Sequence, residues 1–385
     1  MNTLDLIDPA CITEELRMLR DQVRRFVAEE VLPVADAWER DGFVPREVFR
    51  RLGDLGLLGM RHPIDCGGTE MGPIASVLWA EELGRSGYGG LPASVLVHTD
   101  MCSPHISRRG TEEQKRKYMP GIIQGEKIVA IAVTEPGAGS DVAGMKTRAA
   151  RDGDHWVING SKLYITNGVH GDIFIVAART DPQAKGSKGI SLFIVEKGTP
   201  GLKAHELDKH GDLCSDTAEL YFDNLRVPAH NMLGEENKGF YAVMDNFQDE
   251  RLVMSACSVG SSLRAIEITL DHVRTRQAFG GTLWELQATR QKLSMLATKV
   301  AAARALIYSA AELLAQGKDC VREISMCKIF ACEVNVEVVN SCLQLHGGSG
   351  FMRGMAIERM TRDARVQTIG GGATEVMLEE VGKRL

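Results

Sequence analysis

Ile128-Val129-Ala130-Ile131-Ala132-Val133-Thr134-Glu135-Pro136-Gly137-Ala138-Gly139-Ser140-Asp141 is where the chain changes its hydrophobic period. Its first half is a short β-rich run, and its second half is a glycine-rich turn whose backbone amides can approach an anion. Before it, apolar residues recur at helical spacing: Leu16, Leu19, Val23, Phe26, Val27 and Val31 place a helix over 14–32. Thr111 followed by Gln114 has the form of a capping box and predicts another helix start. After it come further β-rich runs, His155-Trp156-Val157-Ile158, Ile173 to Ala177 and Ile190 to Val195, with Asn159-Gly160 and Asn167-Gly168 as turn signals. No 10-residue helical pattern separates these runs, so an antiparallel sandwich or barrel is expected rather than a doubly wound parallel sheet.

From about residue 241 the helical period returns, with long amphipathic stretches over 283–315, ended by Gly317, and 321–345, ended by Gly347-Gly348. The reading is an α+β multidomain chain: an α-helical N-terminal domain (1–125), a middle β domain (126–240) and a C-terminal helical bundle (241–385).

With 385 residues, 44% hydrophobic and 25% charged, the chain has the composition of an ordinary globular protein with several cores. A net charge of −6 argues against nucleic acid or an anionic membrane as the main partner, so an anionic ligand needs a local basic cluster. The nine cysteines form no C-x-x-C pair and read as reduced thiols. The N-terminus Met-Asn-Thr-Leu-Asp-Leu-Ile-Asp lacks the features of a signal or transit peptide. A cytoplasmic protein is the expectation, with a processed organellar form left open.

Four segments are candidates for chemistry: Thr134–Asp141, Tyr164-Ile165-Thr166-Asn167, Gln344–Phe351, and Arg362-Asp363-Ala364-Arg365 with Gly370-Gly371-Gly372. The first three have ordinary structural explanations as a turn, a strand end and a helix cap, whereas the three adjacent glycines of the fourth carry a large entropy cost on ordering, so something must need the backbone exposed there. Asp249-Glu250-Arg251 lies in a predicted helix and, by composition alone, reads as a solvated face with local charge pairing. No metal-ligand spacing and no G-x-S-x-G motif occurs.

Taken together and in order, Ala132–Asp141, Asn159–Asn167, Arg276-Gln277-Ala278-Phe279-Gly280, Gln344–Phe351 and Arg362-Asp363-Ala364 resemble the acyl-CoA dehydrogenase family over nearly the whole chain. The resemblance implies a helical N-terminal domain, a β-barrel-like middle domain and a C-terminal four-helix bundle. It implies FAD, with Val133, Thr134, Ser140, Tyr164, Ile165 and Thr166 at the flavin end. Arg276, Phe279, Gln287, Gln344, Gly347 and Gly348 match positions for the pyrophosphate and adenosine side across a dimer, and Glu375 matches a family variant.

The implied reaction is α,β-dehydrogenation of an acyl-CoA, with proton loss at Cα and hydride transfer to flavin N5. The thioester oxygen would be held by a flavin ribityl hydroxyl and the Gly371 amide. Many relatives carry the catalytic Glu at the position of Gly371. This chain instead has Glu250-Arg251-Leu252, the arrangement of isovaleryl- and long-chain-type members, which makes Glu250 the expected base. Ser140, Gln248 and Arg251 match contacts to the substrate's CoA arm. Gly370 replaces a common Tyr and, with Gly371, is expected to enlarge the acyl pocket for branched or long chains, terpenoid citronellyl-type chains included. Electron-transfer flavoprotein is the implied acceptor, and a homodimer or homotetramer the implied assembly. Oxidases or monooxygenases of the same fold, and a non-catalytic acyl-CoA-binding subunit, are the competing functions. The presence of Glu250 weighs against both the monooxygenases and the subunit.

Overall fold

The computed structural model describes residues 6–385, so the first five residues of the N-terminal stretch read for targeting features lie outside the described residues. The N-terminal region is helical: α1 (Glu14–Phe26), α2 (Ala35–Asp41), α3 (Arg46–Asp54), α4 (Gly72–Gly84), α5 (Gly90–Leu96), α6 (Ser103–Arg109) and α7 (Glu112–Ile123). The expected α1 buries Leu16, Leu19, Val23 and Phe26, then loosens into a π-helical turn over Val27–Val31. Thr111 caps α7, and the Gln114 side chain closes the capping box. Gln114 also donates to His230 O at 2.8 Å and Met232 O at 2.9 Å, tying that helix start to the middle region.

The middle region contains β1 (Val129–Ala132), β2 (Arg148–Asp152), β3 (His155–Thr166), β4 (Ile173–Arg179), β5 (Ile190–Glu196), β6 (Leu202–Glu206), β7 (Thr217–Pro228) and β8 (Met232–Leu233). They pair in the order β6-β7-β3-β2-β4-β5-β8, with β1 beside β4. Most pairs are antiparallel as expected, but β1 and β2 each meet β4 in parallel, so the sheet is mixed. β2 and β3 lie between β1 and β4 in the chain, so no hairpin turn joins that pair and fixes an antiparallel direction. The sheet path ends at β6 and β8 without closing by pairing.

Burial explains the apolar runs. Phe174, Val176, Phe193 and Val195 fill one face, inside the middle region with Trp156, Leu220 and Phe222. Ile173, Ile175, Leu192 and Ile194 face the other way, into the core shared with the helices. Strands covered on both faces lose the alternation that β7 keeps.

The C-terminal region has α8 (Gly239–Thr275), a small hairpin β9 (Gln277–Ala278) and β10 (Gly281–Thr282), α9 (Gln287–Ala315), α10 (Val321–His346), α11 (Ala356–Ala364) and α12 (Thr374–Gly382). The predicted helix over 283–315 starts later, at Gln287, because Thr282 caps a separate 3₁₀ turn over Leu283–Glu285. Three long helices form the bundle, and α11 and α12 pack on α10 to complete it. Asp363 at the end of α11 joins all three regions. Its carboxylate accepts from Gly89 N at 3.0 Å and from Asp212 N at 2.8 Å. No helix among the described residues is long and apolar enough to cross a membrane.

Candidate active site

The glycine-rich turn is anchored from beneath by a buried ion pair. Glu135 accepts from Lys162 Nζ at 2.8 Å, from Lys146 N at 2.6 Å and from Thr147 N at 3.0 Å. Lys162 also donates to Val133 O at 2.9 Å and is wholly buried. Burial lowers the Lys162 pKa to about 8 even though Glu135 opposes it. Burial pushes the Glu135 carboxyl up, but Lys162 and the donated hydrogen bonds outweigh it, and its pKa falls below the ordinary value. Both groups are therefore charged at neutral pH.

On this anchor, Gly137 and Gly139 stand clear: a Cβ on either would meet nothing within 4 Å. Leu163 N donates to Thr134 O at 2.8 Å, which lays the Tyr164–Thr166 segment beside the turn. The β3–β7 register shifts between Lys162 and Ile165. At this irregularity Tyr164 adopts φ 62° and turns its ring outward, 67% exposed, while Ile165 stays buried. Val133, Thr134, Tyr164, Ile165 and Thr166 are thus brought together, with Ser140 exposed at the end of the turn.

The second centre lies where α8 meets the loop before α12. Asp249, Glu250 and Arg251 do not form the solvated face that composition suggests. Asp249 is buried and accepts from Arg61 at 2.8 Å and Arg108 at 3.0 Å. Arg251 is 8% exposed and donates through Nε to Gly371 O at 3.2 Å. Between these committed charges the Glu250 carboxyl accepts no hydrogen bond among the described residues. Burial raises its pKa to about 7, with Arg251 and Lys328 pulling the other way. Lys328 is itself buried and donates to Gln367 O at 2.5 Å. Gln248 is half-buried with its Oε1 unpartnered.

Gly371 has φ 64°, a left-handed conformation that costs a residue with a Cβ about 1–2 kcal/mol. A Cβ there would lie 2.5 Å from Met254 Sδ and 3.2 Å from Glu250 Oε1. A carboxylate from position 250 therefore ends at the spot where a side chain from 371 would begin. The two glycines expected to enlarge the pocket differ in their surroundings. The space left by Gly371 is filled by Met254, an unbranched side chain long enough to reach it, and only Gly370 retains ordinary clearance, 3.8 Å to Met254 Cε.

The remaining predicted residues gather at the opposite end of the bundle. Arg276 caps α8, Phe279 sits at the hairpin tip with φ 54° and is 95% exposed, and Gln287 opens α9. Gln344 lies in the last turn of α10, and Gly347 caps it. The stacked rings of His272 and His346, 4.2 Å apart, hold these two helix ends together. A Cβ on Gly347 or Gly348 would meet nothing within 4 Å. Glu375 is exposed in the first turn of α12, nearer Gly371. Along α8, the 26 residues from Glu250 to Arg276 span roughly 39 Å at ~1.5 Å each, so a single chain does not bring the two groups together. Lys162, Lys328, Met254 and the role of Asp363 escaped the sequence reading. Only Lys162 and Asp363 carried a signal, since both fall inside motifs already singled out.

Comparison with known proteins gives one consistent result. Residues 13–126, 130–225 and 237–385 match the N-terminal, middle and C-terminal domain models of acyl-CoA dehydrogenases. The chain is 40% identical over 375 residues to the mitochondrial long-chain specific acyl-CoA dehydrogenase of Mus musculus, covering 97% of this chain and 87% of that protein. It is 37% identical over 376 residues to the mitochondrial isovaleryl-CoA dehydrogenase of Pongo abelii, covering 97% and 89%. The crystal structure of an acyl-CoA dehydrogenase from Geobacillus kaustophilus superposes with a TM-score of 0.95 at 39% identity, covering 98% of this chain and 99% of that one.

Proposed function

This chain belongs to the acyl-CoA dehydrogenase family, and from that premise we propose that Glu250 is the base that takes the α-proton of an acyl-CoA, yielding a trans-2-enoyl-CoA. Members are FAD-dependent flavoprotein oxidoreductases, and acyl-CoA is their substrate. The observation that carries the assignment of Glu250 is its carboxyl: half-buried, without a hydrogen bond among the described residues, raised by desolvation to a pKa of about 7, and with Oε1 3.2 Å from where a Cβ on Gly371 would stand. A base with a pKa near the working pH combines the right protonation state with useful driving force.

The residues fit FAD. Open backbone at Gly137 and Gly139 and the outward Tyr164 ring suit a flat, hydrogen-bonding heterocycle. At the other end, exposed Arg276 offers a permanently charged fork for a pyrophosphate beside the uncluttered Gly347-Gly348 backbone. We assign Val133, Thr134, Ser140, Tyr164, Ile165 and Thr166 to one end of the cofactor. Arg276, Phe279, Gln287, Gln344, Gly347 and Gly348 serve the other, from a neighbouring subunit of a homodimer or homotetramer. Glu375 belongs with the cofactor set.

When bound, FAD supplies the two-electron acceptor for the hydride that leaves Cβ. The protein's part is to make the α-proton removable. The Gly371 amide donates to the thioester oxygen and stabilises the enolate as it forms. Arg251, through Gly371 O, fixes the peptide that carries this function. Ser140 and Gln248 reach toward the CoA arm, and Gly370 leaves room beside the acyl group. Branched or long acyl chains are the proposed substrates. Electron-transfer flavoprotein is the proposed acceptor, and the cytoplasm the proposed site of action. The test is anaerobic titration of the purified flavoprotein with straight and branched acyl-CoAs. Bleaching of the flavin bands is expected. Bound flavin that no thioester bleaches would overturn the reading.

A further inference from the structure

Next to Glu250 on α8, the buried Asp249 carboxylate is held by two guanidiniums of the N-terminal region, Arg61 at 2.8 Å and Arg108 at 3.0 Å. The Arg108 side chain is 43% exposed and that of Arg61 only 9%. Arg61 is itself fixed from behind. The following residue, His62, is wholly buried and lies between the Ser103 and Ser107 hydroxyls of α6, 3.0 Å from each. Arg61 also faces Asp100 at 3.6 Å, on the π-helical turn Val97–Cys102 that leads into α6. Pro104 has no N–H, so the Asp100 carbonyl lacks the donor that an α-helix would supply four residues on. Asn246 of α8 supplies one instead, through Nδ2 to Asp100 O at 3.0 Å and to Met101 O at 3.1 Å. Asn246 and Asp249 stand three apart on one face of α8, which is thus tied to the N-terminal region at two points.

We propose that Asp249 is a positioning residue for the reaction: locked to Arg61, it fixes the rotation of α8 that points Glu250 at Gly371. The proposal rests on the reading of Glu250 as the base. Successive residues of a helix are turned by about 100°, so the face held by Asn246 and Asp249 determines where Glu250 points. Glu250 Oε1 lies 3.2 Å from the spot a Cβ on Gly371 would take, and the next residue, Arg251, reaches Gly371 O. Side-chain ends stand roughly 5–6 Å from a helix axis, so a rotation of about 10° carries the carboxylate about 1 Å. A misplacement of that size can cost about 10²-fold in rate. Apolar contacts are non-directional, whereas the guanidinium fork on Asp249 and the two bonds from Asn246 specify an angle. A buried ion pair adds little net stability compared with apolar side chains of the same size, and its best-attested use is to fix register. Arg61 and Asp249 put that use directly beside the base.

The test is stopped-flow flavin reduction in wild type, Asp249→Asn, Arg61→Lys and Glu250→Gln, each isolated with its flavin. The substrate is the acyl-CoA that bleaches the wild type fastest in the anaerobic titration. Asp249→Asn keeps the size of the side chain and removes the charge that holds Arg61. Its limiting reduction rate at saturating thioester is expected to fall at least tenfold, while the Kd for the trans-2-enoyl-CoA product stays within threefold. Arg61→Lys keeps the charge but not the fork, and a fall of at least threefold is expected. That variant decides if Asp249→Asn does not retain flavin. A merely structural ion pair would lower the thermal midpoint of both variants and leave the limiting rate per bound flavin within twofold of wild type. That outcome overturns the proposal and leaves the dehydrogenase standing. Product binding lost in parallel with rate would overturn it too, because the whole site would then be displaced. Glu250→Gln reduced at the wild-type rate removes the base assignment instead, whatever Asp249 does.

Discussion

Glu135 in the middle region and Glu250 on α8 are both drawn out of water, yet one ends below its ordinary pKa and the other well above. Glu135 is saturated by the Lys162 ammonium and two backbone amides. Glu250 has cations nearby, but each is turned to another acceptor: Arg251 to Gly371 O and Lys328 to Gln367 O. Burial with full partnership makes an anchor. Burial without it keeps a carboxylate ready to take a proton, and the neighbouring charges tune it from a distance.

The strongest way to break this contrast is to neutralise the unpartnered member. Glu250→Gln should lower the rate of flavin reduction by acyl-CoA by about 10²–10⁴-fold, the usual share of a general base, with flavin content unchanged. Stopped-flow reduction at the wild-type rate would make Glu250 a structural residue. Neutralising the other side should cost stability. Lys162→Met leaves Glu135 charged, buried and short of its cation, a loss of about 3–5 kcal/mol in urea unfolding, together with weaker flavin retention. A loss below about 1 kcal/mol would mean that the two amides suffice.

A smaller effect is expected where the two chain segments meet. Gly371→Ala forces a Cβ into a left-handed residue and against Met254 Sδ, for about 1–2 kcal/mol from the backbone alone. It should lower the thermal midpoint and slow turnover together. Unchanged turnover would detach Gly371 from the site. The subtlest test is pH. Burial holds Glu250 near 7, so below that pH it is increasingly protonated and cannot accept the α-proton; kcat/KM should rise with pH through about 7 and then level. Lys328 pulls that pKa down, so Lys328→Met should move the midpoint toward alkaline pH. A midpoint that stays in place would show that Lys328 serves only Gln367.

The contrast also marks how far the sequence could be read. The switch from helical to strand period at Val129 and the Thr111 cap are local patterns with local causes, and both were legible. The charged triplet Asp249-Glu250-Arg251 was not. Helix periodicity reports which residues share a face and carries no information about whether that face meets water or another helix. α8 is packed along most of its length by α4, α9 and α10, so polar residues such as Ser255, Ser258 and Ser262 are buried as fully as Leu252. Lysines 162 and 328 escaped for the same reason, since composition places lysine outside and only tertiary packing puts these two within. The resemblance to a known family pointed to Glu250; in the structure the other acid of the triplet, Asp249, is paired with Arg61 and Arg108, while Glu250 has no hydrogen-bond partner among the described residues.

α8 runs unbroken for 37 residues, about 55 Å, with Glu250 in its first half and Arg276 just beyond its end. Inserting or deleting one residue between them would turn one end against the other by about 100° and shift it by ~1.5 Å. That segment is therefore a ruler whose markings cannot be moved singly. Redesign of this protein can exchange side chains along it, but changes of length belong in the loops.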